Sequence, residues 1–398
     1  MQKQQSLRPS SVSIPLHNPT TKYYDLSVAV GDRVLVGQKI AVRYNQEVRL
    51  PVFSSVSGVV RSVESREYVN GISMDHLVID NDTKEEQAKA RPLLKPYNAQ
   101  MLRTQLLDMG VEGLDQSGLY TALDFTGNIK QVIVNAVYEN AGFVKQDVQW
   151  FEADQDALIM GCYLLAEASL TPVTVLTNQR SFATKCQQAG LQVRMVRPRA
   201  NKAWQVEAIS SIIKQQPPFD LLTVGVIYTN AHTAKAVHDA IELGVPVTTT
   251  EVVVLLDDPK QHQIVEAKIG SSFAQLLGVE AANQPQDVTY FSGNVLSGSS
   301  MKSGDFVVHS DASTIGYTSS VIEEDVCIKC GLCNDVCPVG ILPQNIMDSE
   351  IREAEDRIYN YSVDQCVECG LCSYVCPSEI NVLEWVRRAK RRVARGVE

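Results

Sequence analysis

Eight of the ten cysteines in this 398-residue chain lie between Cys327 and Cys376. They form two runs of one pattern. The first is Cys327-Ile-Lys-Cys330-Gly-Leu-Cys333-Asn-Asp-Val-Cys337-Pro338 and the second is Cys366-Val-Glu-Cys369-Gly-Leu-Cys372-Ser-Tyr-Val-Cys376-Pro377. A secreted disulfide scaffold is short and spreads its cysteines throughout, so this crowding in a long chain points to metal. Three thiolates, each separated from the next by two residues, wrap a loop round one face of an iron–sulfur cube. A fourth thiolate, beyond three intervening residues, sits on the next helical turn and points away, toward a second cube. The spacing therefore predicts one [4Fe–4S] cluster on Cys327, Cys330, Cys333 and Cys376, and a second on Cys366, Cys369, Cys372 and Cys337. Gly331 and Gly370 let the backbone approach inorganic sulfide with its N–H groups, and Pro338 and Pro377 end each run. Zinc, the competing metal, takes four ligands in two C-x₂-C pairs and leaves the third cysteine of each run unexplained.

Two such clusters carry one electron at a time and form no bonds to a substrate. Little else in the chain suggests chemistry. Cys162 and Cys186 stand apart in helical runs and read as spare or buried thiols. His17, His76, His232, His238, His262 and His309 show no ligand pairing at helical spacing. No Ser-His-Asp arrangement or P-loop is evident. The net charge of −10 disfavours a nucleic-acid partner. The C-terminal stretch runs against that balance, with Arg387, Arg388, Lys390, Arg391, Arg392 and Arg395 against Glu384 and Glu398. It reads either as a solvated helix face or as a contact for an acidic partner or a membrane surface. Val382, Val386, Ala389 and Val393 form one helical stripe there, so a helix packed on the cysteine domain is expected. The N-terminal residues lack the apolar stretch of a signal peptide, and no apolar run is long enough to span a bilayer. A cytoplasmic protein is expected, attached to the inner face of a membrane only through partners.

The length predicts two to four domains. Residues 1–90 read as short strands. Leu26 to Ile40 alternates around turns at Gly31 and Gly37, and Pro51 to Val63 continues the pattern. Together they resemble the small barrel of biotinyl and lipoyl domains. The corresponding turn, Ser54-Ser55-Val56-Ser57-Gly58, lacks the carrier lysine, so the barrel is expected to be structural. Lys84 to Pro96 reads as a linker. Residues 98–258 alternate strands with helices, which implies a mostly parallel α/β sheet of Rossmann-like type. The expected strands are Gln131–Asn135 and the buried runs Val173–Leu176, Val193–Val196 and Asp220–Tyr228. The expected helices are Ala157–Ala168 and Thr233–Leu243, the latter capped by Gly244. Residues 259–318 read as a small β-grasp module, with strands at Ile264–Ile269, Val288–Phe291 and Phe306–His309 and a helix at Ser272–Leu277. Residues 319–398 carry the cysteines in an α-helical domain.

The whole pattern resembles the RnfC family of electron-transport proteins. Ile14-Pro-Leu-His17, Gly31-Asp32-Arg33-Val34, Tyr228-Thr-Asn230-Ala-His-Thr233-Ala, Cys327 to Pro343 and Cys366 to Lys390 carry the resemblance. It implies a barrel, a flavin/NADH-type α/β domain like that of the complex I 51 kDa flavoprotein, an SLBB-like β-grasp module and a two-cluster ferredoxin domain. It also implies redox protein partners, both donor and acceptor, and the membrane subunits of an Rnf-type complex. By resemblance, an FMN and NADH site would fall on Gly113, Gly118, Thr121, Asn135 and Glu139. There the chain departs from the family. Where the family has G-G-A-G-F-P-T, this sequence has Gly113-Leu-Asp115-Gln116-Ser117-Gly118-Leu119-Tyr120-Thr121, and Asp115 would set a negative charge beside a bound phosphate. N-G-A-E-C-E-P becomes Asn135-Ala-Val-Tyr138-Glu139-Asn140-Ala141. The Y-P-x-G-G-E stretch is replaced by Ala200-Asn-Lys-Ala-Trp204-Gln-Val-Glu207. The expected function is electron relay through two [4Fe–4S] clusters. The alternatives are an FMN-dependent NADH:acceptor oxidoreductase and a structural protein that holds partners together.

Overall fold

The computed structural model describes residues 5–6, 8–18, 21–46, 48–67, 73–112, 129–141, 143, 151–217, 221, 223–257, 262–277, 288–301, 304, 306–310, 312–319 and 323–395. The chain builds a barrel, a parallel α/β layer, a mixed β-sheet and a helical cysteine domain.

The barrel closes two small sheets over one core. A four-stranded sheet runs in the order Ser11–Pro15, Ser73–Asn81, Gly58–Glu67, Arg33–Val34, and a three-stranded one in the order Tyr23–Leu26, Lys39–Tyr44, Arg49–Phe53. Their inward residues, among them Ile14, Leu16, Val34, Ile40, Val56, Leu77 and Ile79, form the core. Burying a side chain of this size is worth roughly 1.5–3 kcal/mol. The turn at residues 54–58 is buried rather than displayed. Ser55 Oγ donates to the Ile269 carbonyl at 2.6 Å, and Ser57 Oγ donates to Asp82 Oδ1 at 2.6 Å. These bonds wedge the turn against its neighbours. The expected linker is also tied down. Ala88 N–H donates to Val36 O, Arg91 N–H to Gly244 O and Leu93 N–H to Ile241 O, so it straps the barrel to the α/β layer.

Four parallel strands make the second sheet, in the order Gln192–Met195, Val173–Thr177, Gln131–Asn135, Val226–Asn230. The two central strands read as nearly unbroken apolar runs because helices cover both faces. Gln155–Ser169 and Ala231–His238 pack so closely that a Cβ on Gly161 would lie 1.9 Å from the Ala234 carbonyl oxygen. Val193–Val196, expected to be buried, is corrected: its strand sits at the sheet edge and is largely exposed. An edge strand has only one neighbour to cover it. Cys162 and Cys186 are buried in this core. Burial pushes both thiols up, Cys186 to about 11, which leaves them protonated and inert.

The third sheet has six strands, in the order Gln5–Ser6, His262–Lys268, Thr249–Leu255, Thr314–Thr318, Thr289–Ser292, Ser299–Met301. It draws in Thr249–Leu255, which a domain boundary at residue 258 leaves with the α/β layer, and a strand from the N-terminal segment. Phe306–His309 is not a strand of this sheet. Its backbone is engaged by the Gly270–Phe273 turn, where Gly270 N–H donates to Val308 O and Phe273 N–H to Phe306 O. Stacking of the Phe273 and Phe306 rings, 5.1 Å between centroids, holds it there.

The cysteine domain packs Pro343–Ile351 against the C-terminal helix Val382–Arg395 over Ile346, Met347, Ile358, Leu383, Val386 and Ala389. The expected apolar stripe faces this core, with Val393 at its edge. The basic residues on the other faces are mostly engaged within the chain. Arg391 pairs with Glu384 at 2.7 Å, Arg392 with Glu350 at 2.9 Å, and Arg387 and Lys390 with Glu368.

Candidate iron–sulfur centres

Both cysteine runs adopt one backbone path. The second residue after the leading cysteine, Lys329 or Glu368, has a positive φ (57° and 52°). Gly331 and Gly370 follow at φ 80° and 76° and start one-turn helices, Leu332–Asp335 and Leu371–Tyr374. A left-handed residue beside right-handed ones turns successive N–H groups toward one side, which makes a concavity for anions. Sequence spacing marked the glycines as special but not Lys329 and Glu368. Only their repeated place in the two runs hints at a shared conformation.

Three thiols of each run gather with the last thiol of the other run. Cys327, Cys330, Cys333 and Cys376 line one cavity, together with Gly331, Pro377 and Ser378. On the other side Cys366, Cys369 and Cys372 lie within electrostatic reach of one another, and Cys337 of the first run faces Cys366 and Cys369. Each one-turn helix rotates its trailing cysteine away from the loop that holds the first three. None of the ten cysteines is in a disulfide.

This donor set fits iron–sulfur cubes. A zinc ion draws four ligands to within about 2.3 Å of one point, and no three metal-binding side chains among the described residues converge in that way. Four thiols ringing a cavity suit a larger object. Glu368 N–H donates to Cys366 Sγ at 3.4 Å, a bond that favours the thiolate. Burial pushes the Cys369 thiol up to about 11 and Cys372 to about 12, so ligation there requires iron to displace the protons.

The surroundings of the two motifs differ sharply. The second is docked inside the molecule. Leu371 is 3% exposed, and a Cβ on Gly370 would sit 2.2 Å from the Leu296 carbonyl oxygen. The Tyr374 ring meets Phe143 edge-on at 6.0 Å. Arg387 donates to Glu368 at 2.8 Å and also to the Ser297 carbonyl, and Lys390 Nζ donates to Cys366 O at 2.9 Å. Burial alone would raise the Glu368 carboxyl, but Arg387 and Lys390 hold it below its ordinary value. The first motif is open. Leu332, the counterpart of Leu371, is 46% exposed, and nothing lies within 4 Å of a Cβ on Gly331.

A second cavity adjoins the docked motif. Glu139, Phe143, Arg199, Lys202, Trp204, Asn294 and Cys369 are among the residues that line it. Ser313 Oγ donates to the Glu139 carboxylate, while Asn294 Nδ2 donates to Glu139 O at 2.9 Å and Val295 N–H to Asn140 Oδ1 at 2.8 Å. Residues 294–297 thus join the Asn135–Ala141 segment to the second motif. Of the residues implied for a flavin and nicotinamide site, Gly113, Gly118 and Thr121 lie outside the described residues. Asn135 ends its strand with Oδ1 accepting from Val137 N–H at 3.1 Å and does not line the cavity, whereas Glu139 does. The sequence reading missed Leu296 and Trp204 as neighbours of Cys369, because some 73 and 165 residues separate them along the chain.

Comparison with known proteins agrees with this architecture. Residues 2–84 match the RnfC barrel sandwich hybrid domain, and residues 326–380 match a 4Fe-4S dicluster domain. The chain is 26% identical over 365 residues to the C subunit of the ion-translocating oxidoreductase complex of Pectobacterium carotovorum, with 85% of this chain and 48% of that protein covered. Its namesake from Vibrio cholerae is 25% identical, with 85% and 46% covered. The C subunit of the Na(+)-translocating ferredoxin:NAD(+) oxidoreductase complex of Acetobacterium woodii is 24% identical, with 88% and 83% covered. The chain thus spans about half the length of the first two relatives and most of the third. Among solved structures, an NAD+-reducing [NiFe]-hydrogenase in the H2-reduced state aligns with 75% of this chain and 61% of its own at 11% identity and a TM-score of 0.46. The chain thus carries a match to the RnfC barrel domain at one end and to a 4Fe-4S dicluster domain at the other, and it is similar to these C subunits across most of its own length.

Proposed function

We propose that this protein relays single electrons between redox partners through two [4Fe–4S] clusters, held by Cys327, Cys330, Cys333 and Cys376 and by Cys366, Cys369, Cys372 and Cys337. The observation that carries this reading is the crossed gathering of thiols, in which each set of four takes its last member from the other run. When bound, such clusters accept and release one electron at a time. The chain's own residues direct that traffic. Strands Thr289–Ser292 and Ser299–Met301 of the six-stranded sheet hold residues 294–298 between them, and these seat the second motif beside the α/β layer. We read the parallel layer (98–258) as Rossmann-like and the six-stranded module (259–318) as SLBB-like. The barrel (1–90) and the ferredoxin-type domain (319–398) complete the division. Membrane subunits of an Rnf-type complex are the proposed setting, as the names of the relatives suggest. No helix among the described residues is long and apolar enough to cross a membrane. Attachment would then come through those subunits, on the cytoplasmic side. The test is direct. Anaerobically purified full-length protein should hold about eight iron and eight labile sulfide and give reduced-cluster electron paramagnetic resonance signals with dithionite. Stoichiometric zinc without iron would overturn the reading.

A second reading adds FMN reduced by NADH. The cavity that places Glu139, Arg199, Lys202 and Trp204 next to Cys369 favours it, since a cleft with aromatic walls and two cationic side chains beside a cluster ligand suits a redox nucleotide. Reconstitution with FMN, followed by NADH, separates the two readings. Flavin absorbance and cluster bleaching support this second one, and neither appearing sinks it.

A further inference from the structure

The two cysteine motifs are near-repeats, yet the outer face of the second is much the more covered. In the second motif Leu371 is 3% exposed, Gly370 abuts Leu296 and Arg387 reaches Ser297. The equivalent face of the first motif is bare and carries larger apolar side chains. Ile328, 68% exposed, stands where the second has Val367 at 38%, and Val326 is 80% exposed. Ile328 and Leu332 line the same cavity as the four thiols, and Cys330 itself is exposed. Solvated loops do not ordinarily carry three such neighbouring apolar side chains over a redox centre. The surrounding charge is of one sign. Glu323, Glu324, Asp325, Asp335 and Glu379 are all exposed, against Lys329 alone within these loops. Hydrogen bonds fasten the acidic segment beside the motif: Asp325 N–H donates to Ser378 O at 3.0 Å, and Asn381 N–H to Glu324 Oε1 at 2.9 Å.

We propose that the first-motif face, Val326, Ile328 and Leu332 ringed by these carboxylates, docks an electron-transfer protein with an apolar contact patch inside a basic rim. This rests on the electron-relay reading and adds where the external partner binds and what charge it carries. It also moves the docking site off the C-terminal helix, whose basic residues are largely paired within the chain. The first cluster becomes the outward terminal and the second the inward one. The covered face of the second motif shows that this loop shape makes a good docking surface. The acidic rim steers a cationic partner and excludes an anionic one.

The probe is a lysine-rich mitochondrial cytochrome c, a basic haem protein. Dithionite-reduced, cluster-loaded full-length protein transfers one electron to the ferric haem, oxidising the cluster and reducing the haem. The second-order rate should fall steeply as salt rises. The double variant Glu323→Lys/Glu379→Lys should lower it about tenfold at low salt and little at high salt. Ile328→Ser/Leu332→Ser should lower it at every salt concentration, and Arg391→Glu should change nothing. Calorimetric titration of the oxidised protein with ferric cytochrome c gives a readout independent of turnover and should show binding that the charge reversal weakens. Iron content and paramagnetic resonance are checked for each variant, with Glu→Gln replacements used if a reversal does not load. If wild-type protein lacks iron, the relay reading itself fails. Retained iron with a rate indifferent to salt and charge reversal, or faster reduction of an acidic flavodoxin than of cytochrome c, overturns the docking face alone.

Discussion

Replacing each motif glycine by alanine separates strain within a loop from contact between domains. Gly331 and Gly370 have nearly the same backbone, φ 80° and 76°, so an alanine at either suffers the left-handed penalty of about 1–2 kcal/mol. Their surroundings differ. At Gly331 the new methyl meets nothing within 4 Å, whereas at Gly370 it would lie 2.2 Å from Leu296 O and 2.8 Å from the Leu296 side chain. Ordinary contact needs about 3.5 Å, so the residue 294–298 loop must retreat by more than an ångström. Such overpacking adds about 1–3 kcal/mol. Retreat would also loosen the Arg387 bond to Ser297 and the Tyr374–Phe143 contact. Gly370→Ala should therefore be the more destabilising by about 1–3 kcal/mol. Hydrogen exchange at residues 294–298 should speed up in that variant and stay unchanged in Gly331→Ala. The assay is denaturant titration followed by loss of cluster absorbance, with exchange read by mass spectrometry. Equal destabilisation by the two, or unaltered exchange at 294–298 in Gly370→Ala, would refute the docked arrangement of the second motif.

Crossed ligation makes a sharper prediction than the iron count. Cys376→Ser should empty the cluster of the first run and Cys337→Ser that of the second, each leaving about four iron of eight; loss of the same cluster in Cys376→Ser and Cys372→Ser would contradict the geometry. Glu350, almost wholly buried, accepts from Arg392 at 2.9 Å and lies 3.9 Å from Arg388. Because both arginines are partly exposed, Glu350→Ala should cost about 1–2 kcal/mol and fray the C-terminal helix, whereas Glu350→Met should restore much of the loss. Urea titration of the three proteins checks this. His76 is buried in the barrel with Nδ1 2.9 Å from Met74 O, and burial pushes its pKa down to about 4. The unfolded chain binds the extra proton below about pH 6.5, so the barrel keeps its full stability above that pH. It should lose on the order of 3 kcal/mol as pH falls toward 4, and little more below. Hydrogen exchange of Ser73–Asn81, corrected for intrinsic rates, should show this slope in wild type and not in His76→Gln.

The cysteine spacing alone determined much of the candidate site. A C-x₂-C-x₂-C-x₃-C run can present three thiolates to one side and the fourth to the other only through a tight loop and one helical turn, and those are local properties of the chain. The glycine turns of the barrel, the unbroken apolar strands Gln131–Asn135 and Val173–Thr177 and the stripe Val382, Val386, Ala389, Val393 were legible for the same reason, because periodicity over a few residues reports which side is covered. What covers it was not legible. Val193–Val196 is apolar enough to read as buried yet has a neighbour on one side only. Phe306–His309 reads as a strand, but the Gly270–Phe273 turn takes up its backbone. The strongest case is the cysteine array itself. Gly331 and Gly370 occupy equivalent places in near-identical motifs, yet nothing lies within 4 Å of a Cβ on the first, while the second abuts Leu296, which arrives from a distant part of the chain. Long-range packing of that kind leaves no local trace in the sequence, so only the tertiary structure decides which cluster faces inward and which faces out.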